Sequence, residues 1–228
     1  IHTTRMFTES FTQKIIHRKI KKYFLLSEYL MDSVSPQKRL SLEYFYPLRF
    51  PTSDDSVERS NKQIAIIGGV EERRKDLKGF LEMIQKIEDS KIRFVFLGKS
   101  DLEKSEVQPF LNAIKEAGLE DRVTTYDHFV SQDEFDKVVR SSDLILPLVH
   151  PNTPSADQYF RNQISGAMTV SFGYKVPMMI HEGYQHIGEM KAASFYYQQS
   201  TFAQDLEDAL ANSDKKTSQM RKHLLYSI

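Results

Sequence analysis

The chain reads as an α/β protein built on a Rossmann-like, doubly wound parallel sheet. Two observations predict this. Apolar runs of strand length alternate with amphipathic helical patterns, and those runs are near-continuously apolar instead of alternating with polar residues. Strands of that kind are buried on both faces and joined through helices, which is the grammar of a parallel sheet. Ligands of such sheets bind at the carboxyl ends of the strands, in the loops that lead into helices.

The elements follow in order. "KIIHRKIKK" (Lys14 to Lys22) carries five Lys or Arg and no acid, with Ile15, Ile16 and Ile20 interleaved. An amphipathic helix is expected there, either as a solvated flank or as a surface for anionic lipid or an acceptor. "YFLLSEYLMDSV" reads as a short strand, a cap at Ser27 and a short helix. An aromatic strand, "SLEYFYP", then gives way to a polar stretch with Pro47 and Pro51, so residues 52–61 read as a linker.

From Gln63 the pattern is regular. Strands are expected at "IAIIGG", "RFVFLG", "RVTTYD", "LILPLV" and "VPMMI". Leu77, Phe80, Leu81, Ile84 and Ile87 keep helical spacing, as do Val107, Phe110, Leu111 and Ile114. Ser131 with Glu134, and Thr201 with Gln204, have the form of capping boxes.

The loops carry the chemistry. After the first strand of this region come Gly68 and Gly69, then Arg73, Arg74 and Lys75. Gly98, Lys99 and Ser100 follow the second, and Asp127, His128 and Phe129 the third. The long "HPNTPSADQYFRNQISG" follows the fourth. Glycine, base and hydroxyl at strand ends are what an anionic ligand needs. His150, His181 and His186 fall into no ligand spacing and read as structural.

Composition narrows the classes. The 31 basic and 31 acidic side chains cancel, whereas a nucleic-acid binder normally carries a basic excess. There is no cysteine, which excludes disulfides, thiolate metal sites and a cysteine nucleophile and fits a reducing cytoplasm. No apolar run approaches the ~20 residues of a bilayer span. A nicotinamide site is disfavoured, since Gly68-Gly69 is followed by "VEERRK" without the spaced third glycine or the acidic ribose ligand. The start at Ile1 without methionine leads us to expect a piece of a longer protein.

At these loops the chain resembles a known family. "GGVEERRKDLKGFLEMI", "LEDRVTTYDHFVSQDEFDKVVRSSDLILPL", "SGAMTVSFGYKVPMMIHEGYQHIGE" and "TFAQDLEDAL" are similar, in order and spacing, to the nucleotide-sugar-binding domain of retaining glycosyltransferases of the family 4 type, which have the GT-B fold. The resemblance covers residues 62–212. It implies that residues 1–51 end an N-terminal acceptor domain, 52–61 form the linker, 62–212 form the donor domain and 213–228 a C-terminal helix.

The resemblance implies an active site in which Lys75 and Arg74 contact the donor diphosphate beside Gly69. Lys99, Ser100, His128 and Phe129 are placed for the nucleobase, with core packing an equal alternative for Phe129. Gln163, Ser165, Gly166 and Ala167 are placed for ribose or phosphate if a helix starts there, or are small residues in helix packing. Asp157 is a candidate sugar contact. The implied donor is a UDP- or GDP-sugar, with no cofactor and no metal, since fixed cations meet the leaving diphosphate and no Asp-x-Asp stretch is present. The implied partners are that donor and a glycan or lipid-linked acceptor, with peripheral contact at the inner face of the membrane and no nucleic acid. The chain also departs from the family: Val70 stands where many members have arginine, and "DQYFRNQISGAM" where they have paired glutamates. A catalytically silent nucleotide-sugar or partner-binding subunit is therefore the alternative reading, and a nucleotide-sugar epimerase a third.

Overall fold

Ile64, Ala65 and Ile66 set the frame of the molecule. All three are fully buried, yet Ile64 and Ile66 enter one apolar core while Ala65 enters another. Successive side chains of a strand point to opposite faces, so the strand that carries them is covered on both sides. The computed structural model describes residues 4–7, 11–34, 41–51 and 62–226; the expected linker, 52–61, lies outside the described residues.

In chain order the elements are α1 (Phe11–Lys19), β1 (Lys22–Leu25), α2 (Tyr29–Asp32), β2 (Ser41–Tyr44), β3 (Gln63–Ile67), α3 (Leu77–Ile84), β4 (Arg93–Lys99), α4 (Val107–Glu116), β5 (Val123–Tyr126), α5 (Gln132–Ser141), β6 (Leu144–Ile145), α6 (Gly166–Tyr174), β7 (Met178–His181), β8 (Ser194–Tyr197), α7 (Phe202–Ala211) and α8 (Ser213–Tyr226). Strands β3 to β8 form one six-stranded sheet in the order β5-β4-β3-β6-β7-β8, and every pair in it is parallel. The chain winds outward from β3 to β5 and then crosses back to β6. The winding reverses between β3 and β6, and in sheets of this kind ligands bind at the carboxyl ends of the strands on either side of such a switch point.

Phe80 of α3 packs edge-to-face on Phe94 and Phe96 of β4, and Phe110 of α4 packs on Phe96. Leu206 of α7 completes that face, while Met168 of α6 and Val139 of α5 cover the other. The cores are what hold the strand ends, and hence the loops, in register.

Three local expectations are corrected. The sheet has a sixth strand, β8, beyond the five runs expected from the sequence. Ser27 does not cap α2; its hydroxyl donates to Glu189 instead. Thr201 does not cap α7 with its side chain but donates to the Asp205 carboxylate at 2.6 Å. Ser131 does cap α5, accepting from the Glu134 amide at 3.2 Å.

The segment before residue 52 forms its own two-stranded parallel sheet from β1 and β2. Tyr29 donates to the Gln163 carbonyl at 2.6 Å, and Tyr46 to Glu189 at 2.5 Å. The Arg49 guanidinium lies 4.3 Å over the Phe135 ring. Burial raises the Glu189 carboxyl above its usual range, against the hydroxyls of Ser27 and Tyr46.

Candidate functional site

The site builds from the loop after β3. Glu71 gathers two of its three cations: Arg73 pairs with it at 3.1 Å and Arg74 at 3.4 Å, both about half exposed. Lys75 does the opposite. It is only 4% exposed, and its ammonium lies against Gly68, whose Cα leaves room 3.2 Å from it where a side chain would stand. Among the described residues no carboxylate pairs with that ammonium. Burial pushes its pKa down to about 8, with Glu71 pulling it partly back. A cation largely withdrawn from water with no carboxylate beside it is costly, and it sits at the carboxyl end of β3, next to β6 in the sheet.

The two glycine loops are packed on each other. A Cβ on Gly69 would stand 2.1 Å from the Lys99 carbonyl oxygen, and one on Gly98 would stand 2.7 Å from the Gly69 nitrogen. The room that Gly69 leaves is therefore filled by the neighbouring loop. Ser100 joins them: its buried hydroxyl accepts from the Val70 amide at 3.0 Å, and its own amide donates to Tyr126 at 2.6 Å. Gly69 and Ser100 thus brace the loops, while the Lys99 side chain is exposed on the same edge.

After β5, His128 pairs with Asp127 at 2.8 Å and stacks edge-on against Tyr126. Phe129 is 83% exposed, which settles the alternatives left open for it: it is no part of the core. An apolar ring standing free on the ligand edge of a sheet is suited to a flat partner.

A helix does begin beside Ser165. Its hydroxyl caps α6 by accepting from the Ala167 amide at 3.3 Å; Gly166 is exposed and, among the described residues, nothing lies within 4 Å of where a side chain would stand, while Ala167 is buried. The Gln163 carbonyl is occupied by Tyr29. Asp157 is exposed and paired with Arg161 at 3.2 Å. An open cleft of about 410 Å³ runs between α2 and the segment before α6, with Tyr29, Arg161, Asn162 and His186 in its walls.

Sequence reasoning missed a buried network beneath Lys75. Asp76 caps α3 through the Gly79 amide at 2.8 Å and pairs with His150 at 2.7 Å. His150, with no exposed surface, meets the Tyr197 hydroxyl at 2.6 Å through its other nitrogen. The His150 bond, more than any other contact, holds the Asp76 carboxyl below the usual range. Leu148, two residues before His150, is buried with a left-handed φ of 59°, a conformation that costs a non-glycine residue about 1 kcal/mol or more. Glu182, directly after β7, accepts from Gln198 at 2.9 Å. The signal that was available was Asp76 itself, an acidic residue immediately before an apolar helical pattern.

Comparison with known proteins finds likeness in structure only. No family profile matches the chain, and neither does any characterised protein sequence. Among solved structures, the C-terminal domain of a group 1 family glycosyltransferase from Francisella tularensis superposes with a TM-score of 0.56 at 11% identity, covering 75% of this chain and 89% of that one. TarM of S. aureus, solved with UDP and other ligands, gives 0.64 at 13% identity over 100% of this chain and 47% of its own length. HepE of Anabaena, solved with UDP-glucose, gives 0.59 at 12% identity over 92% and 67%. The chain thus spans less than half of TarM. At such identities the likeness is one of fold: the six-stranded parallel sheet with its flanking helices is that of the Rossmann-like domains of GT-B proteins.

Proposed function

We propose that the carboxyl edge of the β3–β8 sheet binds the diphosphate of a nucleotide sugar, and that the chain is the donor-binding half of a retaining glycosyltransferase of the family 4 type. The observation that carries this reading is Lys75: a buried side chain whose ammonium no carboxylate pairs with among the described residues, at the switch point of a doubly wound sheet. A retaining transfer expels a nucleoside diphosphate, and a fixed cation stabilises the charge that grows on the leaving phosphate. Lys75 supplies that charge without a metal. Arg74 reaches the same ligand only by leaving Glu71.

Phe129, His128 and Lys99 would hold the base, and the capped start of α6, with open space over Gly166, would face a phosphate or the ribose. The UDP and UDP-glucose held by the GT-B structures of TarM and HepE support a UDP-type donor, with GDP as the alternative. The cleft by Tyr29, Arg161 and Asn162 mixes ring faces with polar tips, as a hydroxyl-rich glycan or the head of a lipid-linked acceptor requires. Use in polysaccharide synthesis at the inner face of the cytoplasmic membrane follows from such an acceptor.

In the isotope-labelled protein, UDP or GDP is expected to perturb the amide signals of residues 68–75, 98–100, 127–129 and 165–167. Phe129→Ser is expected to weaken that nucleotide about tenfold, the scale of one lost base stack, without lowering stability. Perturbations confined to other surfaces would contradict the placement.

Helix α1 adds the membrane contact. It has no buried residue; Phe11 (78% exposed) and Ile15 (45%) face outward, with Lys14, Arg18 and Lys19 exposed around them. Apolar side chains flanked by cations fit an anionic lipid surface. Among the described residues no helix is long and apolar enough to cross a membrane. Sedimentation with vesicles containing phosphatidylglycerol, but not with pure phosphatidylcholine, is expected, and is expected to be lost in a Phe11→Ser, Ile15→Ser variant; equal binding of the variant would remove α1 from the account.

The second reading, a silent subunit, is favoured by one observation. The stretch "DQYFRNQISGAM", which leads into α6, stands where the resembling family carries its paired glutamates. It predicts a folded protein that binds no nucleotide.

A further inference from the structure

Three bonds from the loop after β6 converge on the loop after β3. The Leu148 carbonyl accepts from the Asp76 amide at 3.0 Å, the Ser155 hydroxyl donates to the Arg73 carbonyl at 2.7 Å, and His150 Nδ1 meets the Asp76 carboxylate at 2.7 Å. Lys75 lies between the two anchored residues. His150 is in turn fixed from β8, where the Tyr197 hydroxyl faces its Nε2 at 2.6 Å. The ring can serve both ends at once, with Nδ1–H donating to the carboxylate and Nε2 accepting from the tyrosine. Gln199 adds a donor to the same Asp76 oxygen at 2.9 Å.

We propose that His150 is a positioning residue: by tying Asp76 to β8 it locks the turn that carries Lys75 and so keeps the Lys75 ammonium buried at the switch point. The physical need is plain. A lysine has a flexible four-carbon stem, and its ammonium returns to water unless the backbone that carries it is held. One hydrogen bond to the turn would leave it free to pivot; bonds at Arg73 and at both the amide and the carboxylate of Asp76 remove the pivot. Histidine suits the role because a rigid ring offers a donor and an acceptor on opposite sides, bridging α3's cap to β8. A leucine would fill the space and join neither. His150 touches no ligand in this account and acts only through Asp76.

The groups that face Lys75 are Glu71, Arg74 and Lys104. Those around His150 are Asp76, Tyr197, the Gln199 amide nitrogen 3.0 Å from Nδ1, and the His181 ring, whose centroid is 5.4 Å away, with Glu182 next to it in sequence. The consequence for binding rests on the donor-site reading, but the position of Lys75 can be measured without any nucleotide.

The test is the pH profile of Lys75 acetylation by acetic anhydride on the folded chain, read by peptide mass spectrometry. The wild-type midpoint is expected near 8. In His150→Leu it is expected to rise by a pH unit or more, toward that of an ordinary lysine. In His150→Asn it stays near 8, because the Asn amide can still donate to Asp76 from the place of Nδ1. Ser155→Ala, which removes a separate bond of the clamp, is expected to give a smaller rise, and it serves if His150→Leu does not melt cooperatively. An unchanged midpoint in folded His150→Leu, or in Ser155→Ala where the leucine variant does not fold, would overturn the proposal. So would a rise in His150→Asn equal to that in His150→Leu. UDP or GDP binding is expected to fall about tenfold in His150→Leu. If the wild type binds neither nucleotide while the midpoint still moves, the donor-site reading fails and the clamp stands.

Discussion

Lys75→Met is expected to cost the protein its nucleotide and to make it more stable. The two effects have one cause. The Lys75 pKa, about 8 in the folded chain against 10.5 for an ordinary lysine, means that folding holds a charge where charge is disfavoured. Below pH 8 the side chain is protonated in both folded and unfolded chains, so the cost is fully present, roughly 3 kcal/mol at 1.36 kcal/mol per tenfold of proton affinity. Between pH 8 and 10.5 the unfolded chain binds the extra proton, so that cost is relieved as pH rises through this window. Methionine keeps the stem and removes the charge; a gain of about 2 kcal/mol at pH 7, or roughly 5 °C in melting temperature, is expected. Binding of a nucleoside diphosphate should fall roughly 100-fold, the scale of a lost charge-assisted contact in a desolvated site. In the wild type, binding should weaken above pH 8 as the ammonium is lost. Thermal melts at pH 7 and pH 10 check the first half: the advantage of the variant should shrink at the higher pH.

Gly69→Ala is expected to be the most damaging single-atom-scale change at the site. Its new Cβ would stand 2.1 Å from the Lys99 carbonyl oxygen and 2.9 Å from the Ser100 nitrogen, backbone atoms at the end of β4 and directly after it that cannot step aside without moving the strand. A loss of about 3 kcal/mol or more is expected, at the upper end of overpacking penalties. Gly166→Ala is the matched control. It opens α6 into empty space, and replacing glycine by alanine in a helix gains roughly 0.5–1 kcal/mol. Chemical denaturation of the two variants should therefore move in opposite directions. Equal losses would mean that the contact between the glycine loops is not what holds this edge.

The residues that were legible from sequence are those whose role is local. Ile64 to Ile67, the helical spacing from Leu77 to Ile84 and the Ser131 cap need only a strand's pleat or a helix's turn to be recognised. Strand β8 was missed because "SFYY" is four residues long and follows "GEMKAA", which reads as helix and forms a 3-10 segment. Thr201 has the right neighbours for a cap, but its hydroxyl finds Asp205 first. In the site, "RRK" is three like charges in a row, and nothing within it says which one turns inward. That choice is made by Leu148, His150 and Ser155, more than seventy residues away in sequence. Phe129 shows the converse: its pattern allowed core or surface, and the sheet's edge leaves it outside. Long-range hydrogen bonds, not periodicity, separate the buried cation from the solvated ones, which is why the loops could be found in the sequence and their division of labour could not.

The measurement that bears most directly on the account is calorimetric titration of the chain with UDP, GDP and ADP at pH 7, beside Lys75→Met. Saturable binding of UDP or GDP, at least tenfold weaker in the variant, is the predicted result and names the base of the donor. Absence of binding at millimolar nucleotide by a cooperatively folded wild type, or equal binding by the variant, would contradict it and leave the silent subunit as the better description of the fold.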